Sequence, residues 1–321
     1  MRLSLTAAVR GLSAACVMTI AGAAATPAHA QFVNVLTGGT AGVYYPLGVA
    51  LSKIYADKIP KARPSVQATK ASVENLVLLE AGKGEIAFTL GDSLVFAWEG
   101  NSDAGFDKPL KKLRGIAAIY PNYIQLVATA SSGVKTLADL KGKSLSVGAA
   151  KSGTELNTRA ILQAAGMDYK SLGKVEYLPF AESVDLMKNR QLDSTLQSAG
   201  LGVASIRDLA STNDITVVAI PADTVKKIGA PYVPVTIPAN TYKGQTGPVE
   251  TAAVVNFLVT HEGVSDDLVY QMTKTMFDNL DTMVASHAAA KDIKLADALT
   301  GMPVPLHPGA ERFYKEKGLL K

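Results

Sequence analysis

Beyond residue 30 the chain alternates, almost without interruption, between short apolar runs that read as strands and patterns that read as helices. That alternation argues for an α/β fold, with parallel sheets and helices on both faces. Strands are expected at 33–37, 65–69, 86–90, 115–119, 124–128, 144–148, 175–178, 194–197, 215–220 and 253–259. Helices fill the intervals, with the clearest starts at Tyr45, Ser72, Thr154 and Ala181. A long amphipathic helix is expected after Ser265, because Leu268, Met272, Met276 and Leu280 recur every four residues, and its methionines are expected in a core. The proline- and glycine-rich stretch 229–250 fits no element.

Where strands pass into helices the sequence turns small. The first such turn, Thr37-Gly38-Gly39-Thr40-Ala41-Gly42-Val43-Tyr44, has three glycines that leave room for a ligand, followed by the first free N–H groups of a helix. A carboxylate suits such a turn; a plain connection whose glycines supply positive φ fits the same letters equally well. A second turn, Gly148-Ala149-Ala150-Lys151-Ser152-Gly153-Thr154, comes close to a phosphate-binding loop but has Thr154 where the lysine belongs. Nucleotide hydrolysis is therefore not expected, while Ser152 and Thr154 suit both a helix N-cap and a ligand contact. A third, Gln197-Ser198-Ala199-Gly200, and a fourth, Thr69-Lys70-Ala71-Ser72, have the same form. Turns at the carboxyl ends of strands in an open α/β sheet converge on one crevice. The candidate ligand residues are thus Gly39, Thr40, Gly42, Tyr44, Lys70, Ser72, Ser152, Gly153, Thr154, Gln197 and Ser198, with Tyr120 and Tyr123 as aromatic walls. Asp92 reads as a helix cap, and with Glu155 is a candidate carboxylate for any ammonium on the ligand.

Four blocks in order, Gly39-Thr40-Ala41-Gly42-Val43-Tyr44-Tyr45-Pro46, Thr69-Lys70-Ala71-Ser72-Val73-Glu74-Asn75-Leu76, Ala87-Phe88-Thr89-Leu90-Gly91-Asp92 and Lys151-Ser152-Gly153-Thr154-Glu155, carry a family likeness. The chain resembles the TAXI family of TRAP-transporter solute receptors over nearly its whole length beyond the leader. The resemblance implies a two-lobed periplasmic binding protein fold of type II character, with the ligand cleft between the lobes. It also implies a small carboxylate or amino-acid solute and a TRAP-type membrane permease as partners. On this reading one lobe is discontinuous, 31–124 with 256–321, and encloses a continuous one, 125–255, the chain crossing between them along two apolar strands, 123–128 and 253–259, each followed by a polar turn.

Residues 1–30 carry Arg2 and Arg10, an alanine-rich apolar run and then Ala28-His29-Ala30, the pattern of a signal peptide cleaved after Ala30. Export to the periplasm is expected. Cys16, the single cysteine, lies inside that run, so the mature chain is expected to hold no disulfide and no thiolate chemistry. Removing Arg2 and Arg10 from the 32 basic residues leaves 30 against 28 acidic ones, a balance that gives no reason to expect nucleic acid. His261, His287 and His307 are scattered, without zinc spacing, and no G-x-S-x-G elbow occurs, so neither metal nor cofactor is expected. The expected function is that of a monomeric, non-enzymatic receptor closing over a glutamate-like amino acid or a dicarboxylate. The competing readings are an exported hydrolase using Ser152 or Ser198, and a periplasmic ligand sensor for a signalling receptor.

Overall fold

The computed structural model describes residues 31–321; the leader, its cleavage site and Cys16 lie outside the described residues. Ten strands form one mixed sheet: β1 Gln31–Leu36, β2 Ala62–Gln67, β3 Ile86–Leu90, β4 Leu113–Thr129, β5 Ser144–Ser146, β6 Lys174–Glu176, β7 Ser194–Ala199, β8 Ile215–Val218, β9 Val233–Ile237 and β10 Val249–His261. The order is β2-β1-β3-β10-β4-β7-β5-β6, with β8 beside β4 and β9 beside β10. Ten α-helices among the described residues pack on it. In the first half of the chain these are α1 Tyr44–Lys58, α2 Ser72–Glu80, α3 Gly91–Glu99, α4 Gly153–Ala164 and α5 Phe180–Lys188. The others are α6 Ala204–Thr212, α7 Ala222–Ile228, α8 Asp266–Phe277, α9 Leu280–Ser286 and α10 Pro308–Glu316.

The parallel arrangement expected from the alternation holds only towards the two ends of this sheet. There β2-β1-β3 and β7-β5-β6 are parallel sets, as crossover helices require. Between them β4 and β10 run antiparallel to each other and to their neighbours. Two strands expected at 115–119 and 124–128 are in fact one strand of 17 residues. Pro121, which cannot donate to a ladder, is tolerated there because the register with β10 shifts between Val255 and Phe257, a bulge next to the proline. These two long strands tie the halves of the sheet together.

The unassigned stretch contributes β9, which pairs with β10, so its Pro234 sits on an edge strand. Met272, Met276 and Met283 are fully buried in the largest apolar cluster, together with Leu47, Leu51, Ile54 and Phe313. Leu280, however, opens a separate helix after a break at Asp278 and Asn279. A second cluster, Leu126, Leu145, Val147, Ile161, Leu162 and Leu196 among others, lies under β5 and α4. At about 1.5–3 kcal/mol per buried aliphatic side chain, these clusters hold the helices on the sheet, and the first of them runs across it, from Val33 and Leu51 to Met187 and Ile206. Among the described residues no helix is long and apolar enough to cross a membrane.

Candidate functional site

All the small-residue turns meet in one cavity of about 110 Å³. From one end of the sheet come the turn before α1 (Gly38, Gly39, Gly42 and Tyr44) and the turn before α2 (Thr69, Lys70, Ala71 and Ser72). The other end supplies Ala149, Ser152, Gly153 and Thr154 before α4, Pro179 and Phe180 at the start of α5, and Ser198 and Ala199 at the end of β7. Tyr120 and Asn122 of β4 form the floor between them. The halves touch directly: the Glu74 N–H in α2 donates to the Lys151 carbonyl at 3.2 Å. Gly153 packs on the opposite loop so closely that a Cβ there would stand 2.7 Å from Ser72 Oγ and 2.6 Å from Leu90 Cδ1.

Among Gly38, Gly39 and Gly42 none has a positive φ, so left-handed backbone is not what these glycines supply. What they supply is space. A Cβ on Gly38 would meet Ala71 Cβ at 3.2 Å, and one on Gly42 would lie 3.8 Å from the Phe180 ring. The turn is closed by a Gly42 N–H bond to the Gly39 carbonyl at 3.0 Å, and the residue before α1, Val43, has no side-chain cap, so the helix N–H groups stay available. Ala71 does carry strain: its φ is 74°, where a side chain is rarely found. Thr69 holds it, accepting the Ala71 N–H at 2.9 Å while its one proton is shared between Asn75 Oδ1 at 2.6 Å and the Thr37 carbonyl at 2.9 Å. Backbone strain that the surroundings hold in place clusters at functional sites.

The polar lining is mostly neutral donors. Ser152 caps α4 by accepting the Glu155 N–H at 3.1 Å and keeps its own proton to donate. Ser72 likewise accepts the Leu90 N–H. Tyr44 donates to Asn256 Oδ1 at 2.5 Å and stacks on Phe88, and burial pushes its phenol well up, so it stays a neutral donor. Lys70, exposed, is the single charged side chain in the lining among the described residues.

Three of the candidate residues lie elsewhere. Thr40 is exposed at the outer bend of its turn, and Gln197 is buried beneath α6, where its Oε1 accepts from Ser205 at 2.6 Å. Side chains alternate along a strand, so Ser198 faces the cavity while Gln197 faces away. The same rule separates Asn122, which lines the cavity, from half-buried Tyr123, which does not. Asn122 was legible only through Tyr120, two residues earlier on the same face. Phe180 and Pro179 gave no signal, since their helix start lacks a polar cap.

Asp92 does not cap α3, whose N-cap is Leu90. Instead this fully buried carboxylate accepts from Ser93, from Asn157 Nδ2 at 2.6 Å and from the Tyr232 hydroxyl at 2.6 Å. Asn157 is in turn held by Ser198, whose hydroxyl donates to Asn157 Oδ1 at 2.5 Å. A chain of hydrogen bonds therefore leads from the cavity wall to a carboxylate beneath it. Glu155 also points elsewhere, pairing with Arg159 at 2.7 Å and with Tyr169. His307 and His287 cap helices, their ring nitrogens accepting backbone N–H groups, and burial lowers the pKa of both.

Residues 35–318 match the family model described as NMT1-like. Solved structures similar to this one include the periplasmic binding protein BugD, at 12% identity and a TM-score of 0.56, covering 90% of this chain and 94% of that one. A putative L-cystine ABC transporter from Listeria monocytogenes matches at 16% identity and 0.51, covering 82% and 98%. The alkanesulfonate-binding protein SsuA from Xanthomonas axonopodis pv. citri, bound to MOPS, matches at 14% and 0.50, covering 91% and 94%. At such identities the likeness establishes the architecture, which is that of the two-lobed α/β periplasmic binding proteins.

Proposed function

The chain belongs to the NMT1-like family, and from that premise we propose that it is the solute receptor of a TRAP-type transport system of the TAXI kind. It captures a small carboxylate-bearing solute in the periplasm and delivers it to a membrane permease. In this reading residues 1–30 are a signal peptide cleaved after Ala30, the lobes are 31–124 with 256–321 and 125–255, and β4 and β10 are the crossings. The observation that carries it is the cavity itself, walled by turns from both sheet ends and lined by donors, with no acidic side chain among the described lining residues.

The energetics suffice. Each helix N-terminus favours an anion by roughly 0.3–1 kcal/mol, up to about 2 when partly buried. Hydrogen bonds to a charged group add about 1.5–3 kcal/mol each. After the cost of immobilising the ligand, a micromolar Kd, about −8 kcal/mol, is within reach. The hydrolase reading has no comparable support: Ser198 gives its proton to an amide oxygen, and Ser152 faces a backbone N–H rather than a base.

Titrating the protein with small organic acids is expected to raise its melting temperature. A ligand at about a hundred times its Kd adds about 2.7 kcal/mol. Shifts with sugars or metal ions and none with organic acids would refute the reading.

A further inference from the structure

Two buried polar atoms in the cavity floor have no partner, and their chemistry selects among organic acids. Tyr120 and Asn122 are each about 1% exposed, and neither Tyr120 Oη nor Asn122 Nδ2 has a hydrogen-bond partner. The orientation of the Asn122 amide is dictated by its surroundings. Asn256 must turn Nδ2 towards the Tyr120 carbonyl, to which it donates at 3.0 Å, because a carbonyl only accepts. The same Nδ2 faces Asn122 Oδ1 at 3.3 Å, and Asn256 Oδ1 receives the Tyr44 hydroxyl. With Oδ1 taken, the unpartnered atom of Asn122, a residue of the cavity lining, is Nδ2, a donor and nothing else. Burial holds the Tyr120 phenol neutral, so it too has a proton to give.

Two unpartnered donors on one face of β4, both on residues of the cavity lining, require an acceptor. The geometry points to a ligand that carries, beside its carboxylate, a neutral acceptor oxygen (a keto or hydroxyl group) and no ammonium at that position. This inference rests on the carboxylate reading above and narrows it away from amino acids. An ammonium has three donors and no lone pair, so it would meet Asn122 Nδ2 donor to donor and leave both buried and unsatisfied. No carboxylate offsets that cost. Among the described residues Lys70 is the only charged one in the lining, Asp92 is already filled by Ser93, Asn157 and Tyr232, and Glu155 is paired with Arg159. A site built to hydrogen-bond one polar group rejects an analogue that lacks it far more strongly than a pocket rejects a missing methylene.

The test is titration calorimetry with pairs of acids on one carbon skeleton, 2-oxo against 2-amino: pyruvate with alanine, 2-oxoisovalerate with valine, 2-oxoglutarate with glutamate. The expected result is that in whichever pair binds, the oxo member binds at least about a hundredfold more tightly. Tyr120→Phe, which removes only the hydroxyl, should weaken the oxo acid about tenfold and leave the amino acid unaffected. Asn122→Asp, if it folds, should narrow or reverse the preference. Equal or tighter binding of the amino member overturns the inference and leaves the anion site standing. If no carboxylate of any kind binds, both the inference and the reading beneath it fail.

Discussion

Gly153→Ala is expected to leave a folded protein that binds its solute tenfold to more than a hundredfold more weakly. Gly153 is the first residue of α4 and does not have a positive φ, so alanine is compatible with its backbone and with the helix. The obstruction comes from the facing turn. An alanine methyl would stand 2.7 Å from Ser72 Oγ and 3.0 Å from Ser72 Cβ, and neither atom can swing aside, because Ser72 opens α2 and its oxygen is fixed by the Leu90 N–H. The two loops must part, which removes both helix N-termini from a shared ligand. Overpacking of this kind costs about 1–3 kcal/mol, and when only the closed form pays it, the loss appears in affinity rather than in stability. Calorimetry of ligand binding beside circular dichroism of the free protein measures the two separately. Normal affinity in a folded Gly153→Ala protein would show that these loops need not meet for binding.

Asp92→Ala should produce the largest loss of stability. The substitution orphans the Ser93 N–H and the Tyr232 hydroxyl proton, both buried, at about 1–3 kcal/mol each, and leaves Asn157 Nδ2 only its bond to the Tyr232 oxygen at 2.9 Å. Against a native stability of about 5–15 kcal/mol this is severe, and the melting temperature should fall by roughly 10 °C at about 2–4 °C per kcal/mol. Asp92 also leaves a signature in pH. Burial, the dominant influence, raises its carboxyl above the ordinary value, outweighing the hydrogen bonds that lower it. The folded state therefore binds this proton more tightly than the unfolded chain. The resulting stabilisation is fully present below the unfolded pKa, about 3.9, and is lost as pH rises through the folded value. Melting curves from pH 4 upwards should thus show a decline in the native protein that is shallower in Asp92→Asn. Identical pH profiles for the two proteins would remove Asp92 as the cause.

The parts of this fold legible in the sequence are those fixed by local chemistry. The run Ile86–Leu90 is apolar except for Thr89 and bounded by Gly91, and it is a fully buried strand with those limits. The turns before α1, α2 and α4 could be read as sites because free helix N–H groups follow from the helix itself. What escaped was set by residues distant in sequence. Tyr120-Pro121-Asn122 looks like a break between two strands, and only the β10 partner, more than a hundred residues later, accommodates the proline in a bulge. Asp92 stands where a cap belongs, yet its partners Asn157 and Tyr232 lie 65 and 140 residues away. The stretch 229–250 lacked a pattern because β9 is an edge strand, exposed along much of its length, and alternation is written only where one face is buried.

The central claim is that turns from both sheet ends hold one organic anion, and calorimetry on hydroxyl deletions in the α4 turn tests it most directly. Ser152 Oγ is occupied as an acceptor by the Glu155 N–H, so its proton is free for a ligand, while the buried Thr154 lines the same wall. Losing the Ser152 cap costs about 1 kcal/mol of stability, too little to unfold the protein. With the tightest-binding organic acid, the account predicts one site per chain in the native protein. It further predicts a tenfold to hundredfold weaker affinity in Ser152→Ala and Thr154→Val, about 1.5–3 kcal/mol for each lost bond to a charged carboxylate. Unchanged affinity in both folded variants would contradict it, leaving the α4 turn as a helix cap and the anion held from one side alone.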